Sequence, residues 1–175
     1  MAEEDKLLRR ARRWETDALA EIYDRYSAEL YRYALRQLGV RDLAEECVSE
    51  TFHRFLRALR RGSGPDRHLR AYLYRIAHNW VVDHVRAEQP LPLDEDMRAA
   101  RQTEPVGALT ERSRLEETRA ALAQLTPDQR QVIVLRYVEG WSHKEIARAL
   151  SKSAGATKAL QHRALVALKR RLVEQ

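Results

Sequence analysis

The feature that most constrains this chain is a break. Gln89-Pro90-Leu91-Pro92-Leu93-Asp94-Glu95-Asp96 sets two prolines and an acid cluster between long stretches of helical periodicity. Proline lacks the N–H that a helix interior needs, and its ring clashes with the preceding turn. No helix is expected to cross this segment, and irregular polar sequence with Pro105 and Gly107 continues to about Thr110. The expected organisation is two helical domains, 1–88 and 114–175, joined by an acidic linker at 89–113. That linker is longer than plain connections usually are.

Composition makes the domains helical. Leu, Ala, Arg and Glu dominate and are good helix formers. Only 6 Gly and 5 Pro interrupt the 175 residues, and runs of β-branched residues are nearly absent. The fold class read from this is all-α. In the first domain Leu19, Ile22, Tyr23, Tyr26, Leu30, Tyr33, Ala34 and Leu38 recur at three- and four-residue steps, with Gly39 as the stop. A second helix, about Asp42 to Arg60, points Leu43, Cys47, Val48, Phe52, Phe55 and Leu59 inward. Gly62-Ser63-Gly64-Pro65 ends it. A third, about Arg67 to Glu88, carries Leu69, Leu73, Ile76, Ala77, Trp80 and Val81 on its core side.

The sharpest pattern is C-terminal. Thr126-Pro127-Asp128-Gln129 combines an N-cap, a proline at the first helical position and a Gln three residues on, which is a capping box. A helix from Pro127 to Val138 follows, and Gly140 ends it. Ser142-His143-Lys144-Glu145 is a second capping box and opens a short helix, His143 to Leu150. A brief turn leads to a longer helix capped by Ser153 and running to about Leu172. Short helix, tight turn, longer basic helix is the helix-turn-helix arrangement. In the longer helix Thr157, Leu160, Ala164, Leu165 and Leu168 form the expected inward face. Lys158, Ala159, His162 and Arg163 form the opposite stripe. It offers donors for phosphates and guanine edges beside a small residue that permits close approach.

Charge distribution agrees. The chain carries 32 basic and 26 acidic residues, and 114–175 holds 12 basic against 6 acidic. The excess therefore sits where nucleic acid would bind. Cys47 is the only cysteine, so neither an internal disulfide nor a CxxC zinc pair is available. The N-terminal charges have no apolar run behind them, which reads against a signal peptide. No stretch approaches the roughly 18–20 apolar residues that span a bilayer. A cytoplasmic protein without membrane insertion is expected.

Two further segments invite chemistry. Glu50-Thr51-Phe52-His53 has the Glu-x-x-His spacing of di-iron bundles, but no second copy exists to complete such a site. No metal and no other cofactor is expected, and Glu45, Glu46 and Glu50 read better as an exposed docking face. In the third helix, Tyr74, Arg75, His78 and Asn79 share one surface. Arginines interleaved with aromatics suit stacking on unpaired bases and holding their phosphates. No nucleophile–base constellation or phosphate loop stands out, so the chain is not expected to be an enzyme.

These segments, in this order, resemble the extracytoplasmic-function sigma factors. Asp42 to Phe52 looks like that family's polymerase-docking helix, Ala71 to Asn79 like its promoter-melting and −10-reading helix, and Leu125 to Leu172 like its −35-reading helix-turn-helix. The resemblance implies core RNA polymerase and promoter DNA as partners, with an anti-sigma factor as inhibitor. On polymerase, the contacts would come from Glu45, Glu46, Val48, Ser49, Glu50 and Phe52. On DNA, Lys158, Ala159, His162 and Arg163 would meet the −35 element, and Tyr74, Arg75, His78 and Asn79 the melted −10 strand. The linker acids Asp94, Glu95 and Asp96 would either enter the polymerase's nucleic-acid channels or serve as a plain tether. The chain departs from the family pattern at Ser49 (usually Gln), Tyr72 (usually Trp), Ser151 (usually Gly) and Thr157 (usually Val). It also has Arg60, Arg61 and Gly62 where an aromatic is common. The alternative is a stand-alone helix-turn-helix regulator that binds duplex DNA without polymerase.

Overall fold

The computed structural model describes residues 2–87, 120–122 and 124–173. The linker acids Asp94, Glu95 and Asp96 lie outside the described residues. The described helices are α1 (Ala2–Arg12), α2 (Thr16–Leu38), α3 (Arg41–Arg60), α4 (Leu69–Ala87), α5 (Pro127–Ile133), α6 (His143–Ala149) and α7 (Ala154–Val173). No strand occurs among the described residues, and no described helix is long and apolar enough to cross a membrane.

Helix α1 was not expected. Its sequence is mostly charged, but Leu7, Leu8 and Ala11 fall on one stripe and are almost fully buried. The Glu4 carboxylate also accepts the Arg70 backbone N–H at 2.9 Å. That satisfies a donor that the first turn of α4 would otherwise leave unpaired.

Helices α2, α3 and α4 form the main bundle. Ala18, Ile22, Tyr26, Leu30, Tyr33 and Ala34 of α2 face Ala44, Cys47, Phe55 and Leu59 of α3 and Leu69, Leu73 and Ala77 of α4. Gly39 closes α2 in the left-handed conformation (φ 72°), where its N–H reaches the Leu35 carbonyl at 2.8 Å. A Cβ disfavours this conformation. Burial pushes the Cys47 thiol up to about 12, so it behaves as a small apolar side chain. Tyr23, expected inward, is half exposed. It lies one residue off the Ile22 stripe, about 100° around the helix, and packs sideways on the Phe52 ring at 4.8 Å.

The second half keeps both capping boxes, on Thr126 with Gln129 and on Ser142 with Glu145. The helix expected to reach Val138 is α-helical only to Ile133. Residues Val134–Val138 widen into a π-helical turn, whose Glu139 N–H returns to the Val134 carbonyl. This turn leaves Tyr137 and Val138 exposed. Leu125, Ile133 and Ala164 make a small core of their own, with Leu122, Ala167 and Leu168 around it. Val132, Leu135, Trp141 and Ile146 instead join the core of the first half. Part of the second half therefore shares the apolar interior of the first.

Candidate nucleic-acid interface

The recognition stripe on α7 begins at its cap. The Ser153 hydroxyl accepts the Ala156 N–H at 3.1 Å, and Thr157 folds its hydroxyl back on the Ser153 carbonyl at 3.0 Å. From there Thr157 and Ala164 are buried, and Leu160, Ala167 and Leu168 are half-buried. Lys158, Ala159, His162 and Arg163 are all exposed on the opposite side. Leu165 departs from the expected inward set: it is 40% exposed. It sits at the edge of the buried stripe, and Ala167 takes the inward place.

Sequence reasoning missed Gln161. Its amide oxygen meets His143 Nε2 at 2.5 Å and its nitrogen donates to the Tyr137 hydroxyl at 2.7 Å. One side chain thus ties α7 both to α6 and to the π-helical turn, fixing the angle at which the stripe is presented. Its helical position gave no signal, because both partners come from other elements.

The α4 residues divide. Asn79 is exposed; Arg75 is half-buried, with its guanidinium 5.0 Å from the Tyr72 ring centroid and donating to Ser151 at 3.3 Å. The loop before α4 forms, with Tyr72 and Arg75, one side of a cleft of about 550 Å³; Arg148, Ser151 and Lys152 form the other. The loop is braced by Arg12, which donates to the Pro65 carbonyl and the Asp66 carboxylate. Gly64 packs so closely on Leu59 that a Cβ would come within 2.6 Å of its side chain.

Tyr74 and His78 are buried in this arrangement. Tyr74 lies between Tyr33 (5.2 Å between centroids) and Trp141 (4.8 Å). Burial raises its hydroxyl pKa well above the usual range. The Tyr33 hydroxyl donates to His78 Nδ1 at 3.3 Å, and His78 Nε2 donates to Asp128 Oδ1 at 2.8 Å; this relay fits the Nε2–H tautomer. The hydrogen bond from His78, then that from Lys152, holds the Asp128 carboxyl down at about 2 against the opposing effect of burial. Arg70 is a further link between the halves. It binds Glu29 at 2.9 Å, lies 3.8 Å from Glu139, and stands 4.7 Å over the Trp141 ring. Glu139 also takes Arg36 at 2.6 Å.

On α3, Glu45, Glu46 and Ser49 are exposed. Glu50 is half-buried; the hydrogen bond from Arg54 lowers its pKa, with His53 adding to the effect. Val48 and Phe52 are mostly covered and line a groove with Tyr23 and Tyr31. Among the described residues no group of three His, Cys, Asp or Glu side chains is placed to hold a metal.

Comparison with known proteins sets the class. Residues 22–90 match the family Sigma-70 region 2, and residues 115–168 match Sigma-70, region 4. The chain is 32% identical over 165 residues to the ECF RNA polymerase sigma factor SigL of Mycobacterium tuberculosis, covering 91% of this chain and 92% of that protein. It is 36% identical over 172 residues to the ECF RNA polymerase sigma factor BldN of Streptomyces coelicolor, covering 95% of this chain. It spans 65% of that relative's length. The solved structure of CnrH in complex with the cytosolic domain of CnrY superposes with a TM-score of 0.73 at 26% identity, covering 98% of both chains. This chain belongs to the ECF RNA polymerase sigma factors. A stand-alone regulator is not favoured, since both sigma-70 regions match and the relatives are sigma factors.

Proposed function

We propose that this protein carries core RNA polymerase to a class of promoters and helps to open them, and that it is not itself an enzyme. The proposed domain limits are 1–88, 89–113 and 114–175. The exposed acids and groove of α3 dock on polymerase through Glu45, Glu46, Ser49 and Glu50, with Val48 and Phe52 as the groove floor. The α7 stripe reads the −35 duplex through Lys158, Ala159, His162 and Arg163. The melted −10 strand is taken by α4 through Tyr74, Arg75, His78 and Asn79, next to the loop-lined cleft. The work is done in the cytoplasm, where polymerase is. CnrH is held by the cytosolic domain of CnrY, and an anti-sigma factor is proposed here by that likeness.

The observation that carries this reading is the pairing of a region 2 helix bundle with a region 4 helix-turn-helix whose basic stripe faces outward. Run-off transcription tests it. Core polymerase supplied with this protein is expected to give a defined transcript from a promoter selected on the holoenzyme. Core polymerase alone is expected to give none. Equal transcription with and without the protein would overturn the reading.

A further inference from the structure

Part of the α4 face assigned to the melted strand, Tyr74 and His78, is already occupied, and the occupant has a definite chemistry. What a single strand presents to a protein is negative charge at intervals and flat rings between. The second half presents both. The Asp128 carboxylate takes His78 Nε2 at 2.8 Å. The Glu139 carboxylate takes Arg36 at 2.6 Å and stands 3.8 Å from Arg70. Two residues after Glu139 in the chain, the Trp141 indole lies against Tyr74, under the Arg70 guanidinium. Trp141 is 3% exposed, yet its Nε1 has no hydrogen-bond partner among the described residues.

We propose that Asp128, Glu139 and Trp141 form an intrachain mimic of single-stranded nucleic acid, which holds α4 closed until a strand or another partner displaces it. This rests on the reading of α4 as the −10 strand site, and adds its regulation. The closed state and the strand compete for His78, Arg70 and Tyr74. Apparent affinity for the strand falls with the fraction of molecules that are open. Loosening the mimic therefore strengthens strand binding without adding any contact to DNA.

The test uses the full chain. Dyes are placed on Arg57→Cys and Lys144→Cys, which are exposed positions in α3 and α6, while Cys47 is buried. Energy transfer between them reports closure. The probe is a short fluorescein-labelled single-stranded DNA of randomised sequence, titrated at fixed salt. Trp141→Ala and Glu139→Gln are each expected to lower energy transfer and to tighten strand binding about fivefold or more. Trp141→Ala does so with no change of net charge. Asp17→Asn, an equal charge change at an exposed site away from this interface, is expected to move neither reading. Duplex −35 binding serves as the check that the second half is folded. If Trp141→Ala fails that check, Glu139→Gln carries the test. Unchanged energy transfer in both variants overturns the closure. Lower energy transfer with unchanged, measurable strand affinity overturns the mimicry and leaves α4 as a strand site. No strand binding by any variant, open or closed, overturns the α4 assignment and the mimicry with it.

Discussion

His78 on α4 donates to Asp128 in the first turn of α5 at 2.8 Å, and this hydrogen bond joins the two halves of the chain from inside. His78 is almost fully buried; Asp128 is about one-third exposed and also holds Lys152 at 3.0 Å. The bond couples the proposed strand-reading helix to the capped start of the helix-turn-helix.

Acid stability should report it. The Asp128 carboxyl is held at about 2, below its ordinary 3.8. A depressed carboxyl contributes stability that is fully present above the ordinary value and is lost as pH falls through the folded value. With Asp128 a third exposed, the contribution is about 1 kcal/mol after screening. Asp128→Asn is expected to lower stability by about that much at pH 7, and to flatten the loss between roughly pH 4 and pH 2. Urea unfolding across that range checks it. Parallel curves for the two proteins would deny the pair any role in stability.

The acidic face of α3 gives a second outcome. Glu46 is exposed, so Glu46→Lys costs the fold little. Binding to core polymerase is expected to weaken severalfold, mostly at low salt, while binding to a −35 duplex stays within error. Titration of labelled polymerase with the variant measures the first, and gel shift the second. An unchanged polymerase affinity would move the docking surface elsewhere.

The α7 stripe separates by chemistry. Lys158→Ala is expected to remove mainly phosphate attraction, weakening all duplexes alike and making the salt slope shallower by about one. Arg163→Ala, where the guanidinium meets a base, is expected to cost about 1–3 kcal/mol and to relax preference at one position. Binding to a library of −35 variants at two salt concentrations distinguishes the roles. Gln161→Ala should weaken both kinds of contact together, since it loosens the whole helix from Tyr137 and His143.

Most of the helices were legible in the sequence because their signals are local. Leu30 and Tyr33 repeat at helical spacing, and Thr126 and Ser142 announce their helices by caps that depend on residues three positions away. Helix α1 was not legible. Leu7, Leu8 and Ala11 are few among charges, and only the bundle they meet makes them a face. Tyr23 and Leu165 sit at stripe edges, where periodicity alone does not decide the side. The contacts between halves were also hidden. Asp128 shows in the sequence only as part of a capping box, and nothing local marks Glu139 or Trp141. Their partners His78 and Arg70 lie dozens of residues away, across the linker. The outward stripe Lys158, Ala159, His162 and Arg163 was legible because helix geometry alone sets it opposite Thr157 and Ala164.

Asn79 offers the most direct test of strand reading. Duplex recognition needs an element fitted into a groove with side chains on base edges. α4 instead lies beside an irregular loop and a cleft bounded by Tyr72 and Arg75, which suits a base turned out of its stack. Asn79 is exposed on the same helix, one turn beyond Arg75, and its amide can both donate to and accept from a base edge. Because Asn79 is exposed, Asn79→Ala should leave the unfolding midpoint nearly unchanged. The full chain is expected to bind a single-stranded −10 sequence more tightly than the same sequence as duplex. In Asn79→Ala most of the base preference should vanish, while the affinity that comes from phosphate contacts remains. Competition between matched and mismatched single strands measures this. A variant that keeps the wild-type preference would place base reading on the loop alone, and a preference for duplex would remove strand capture from α4.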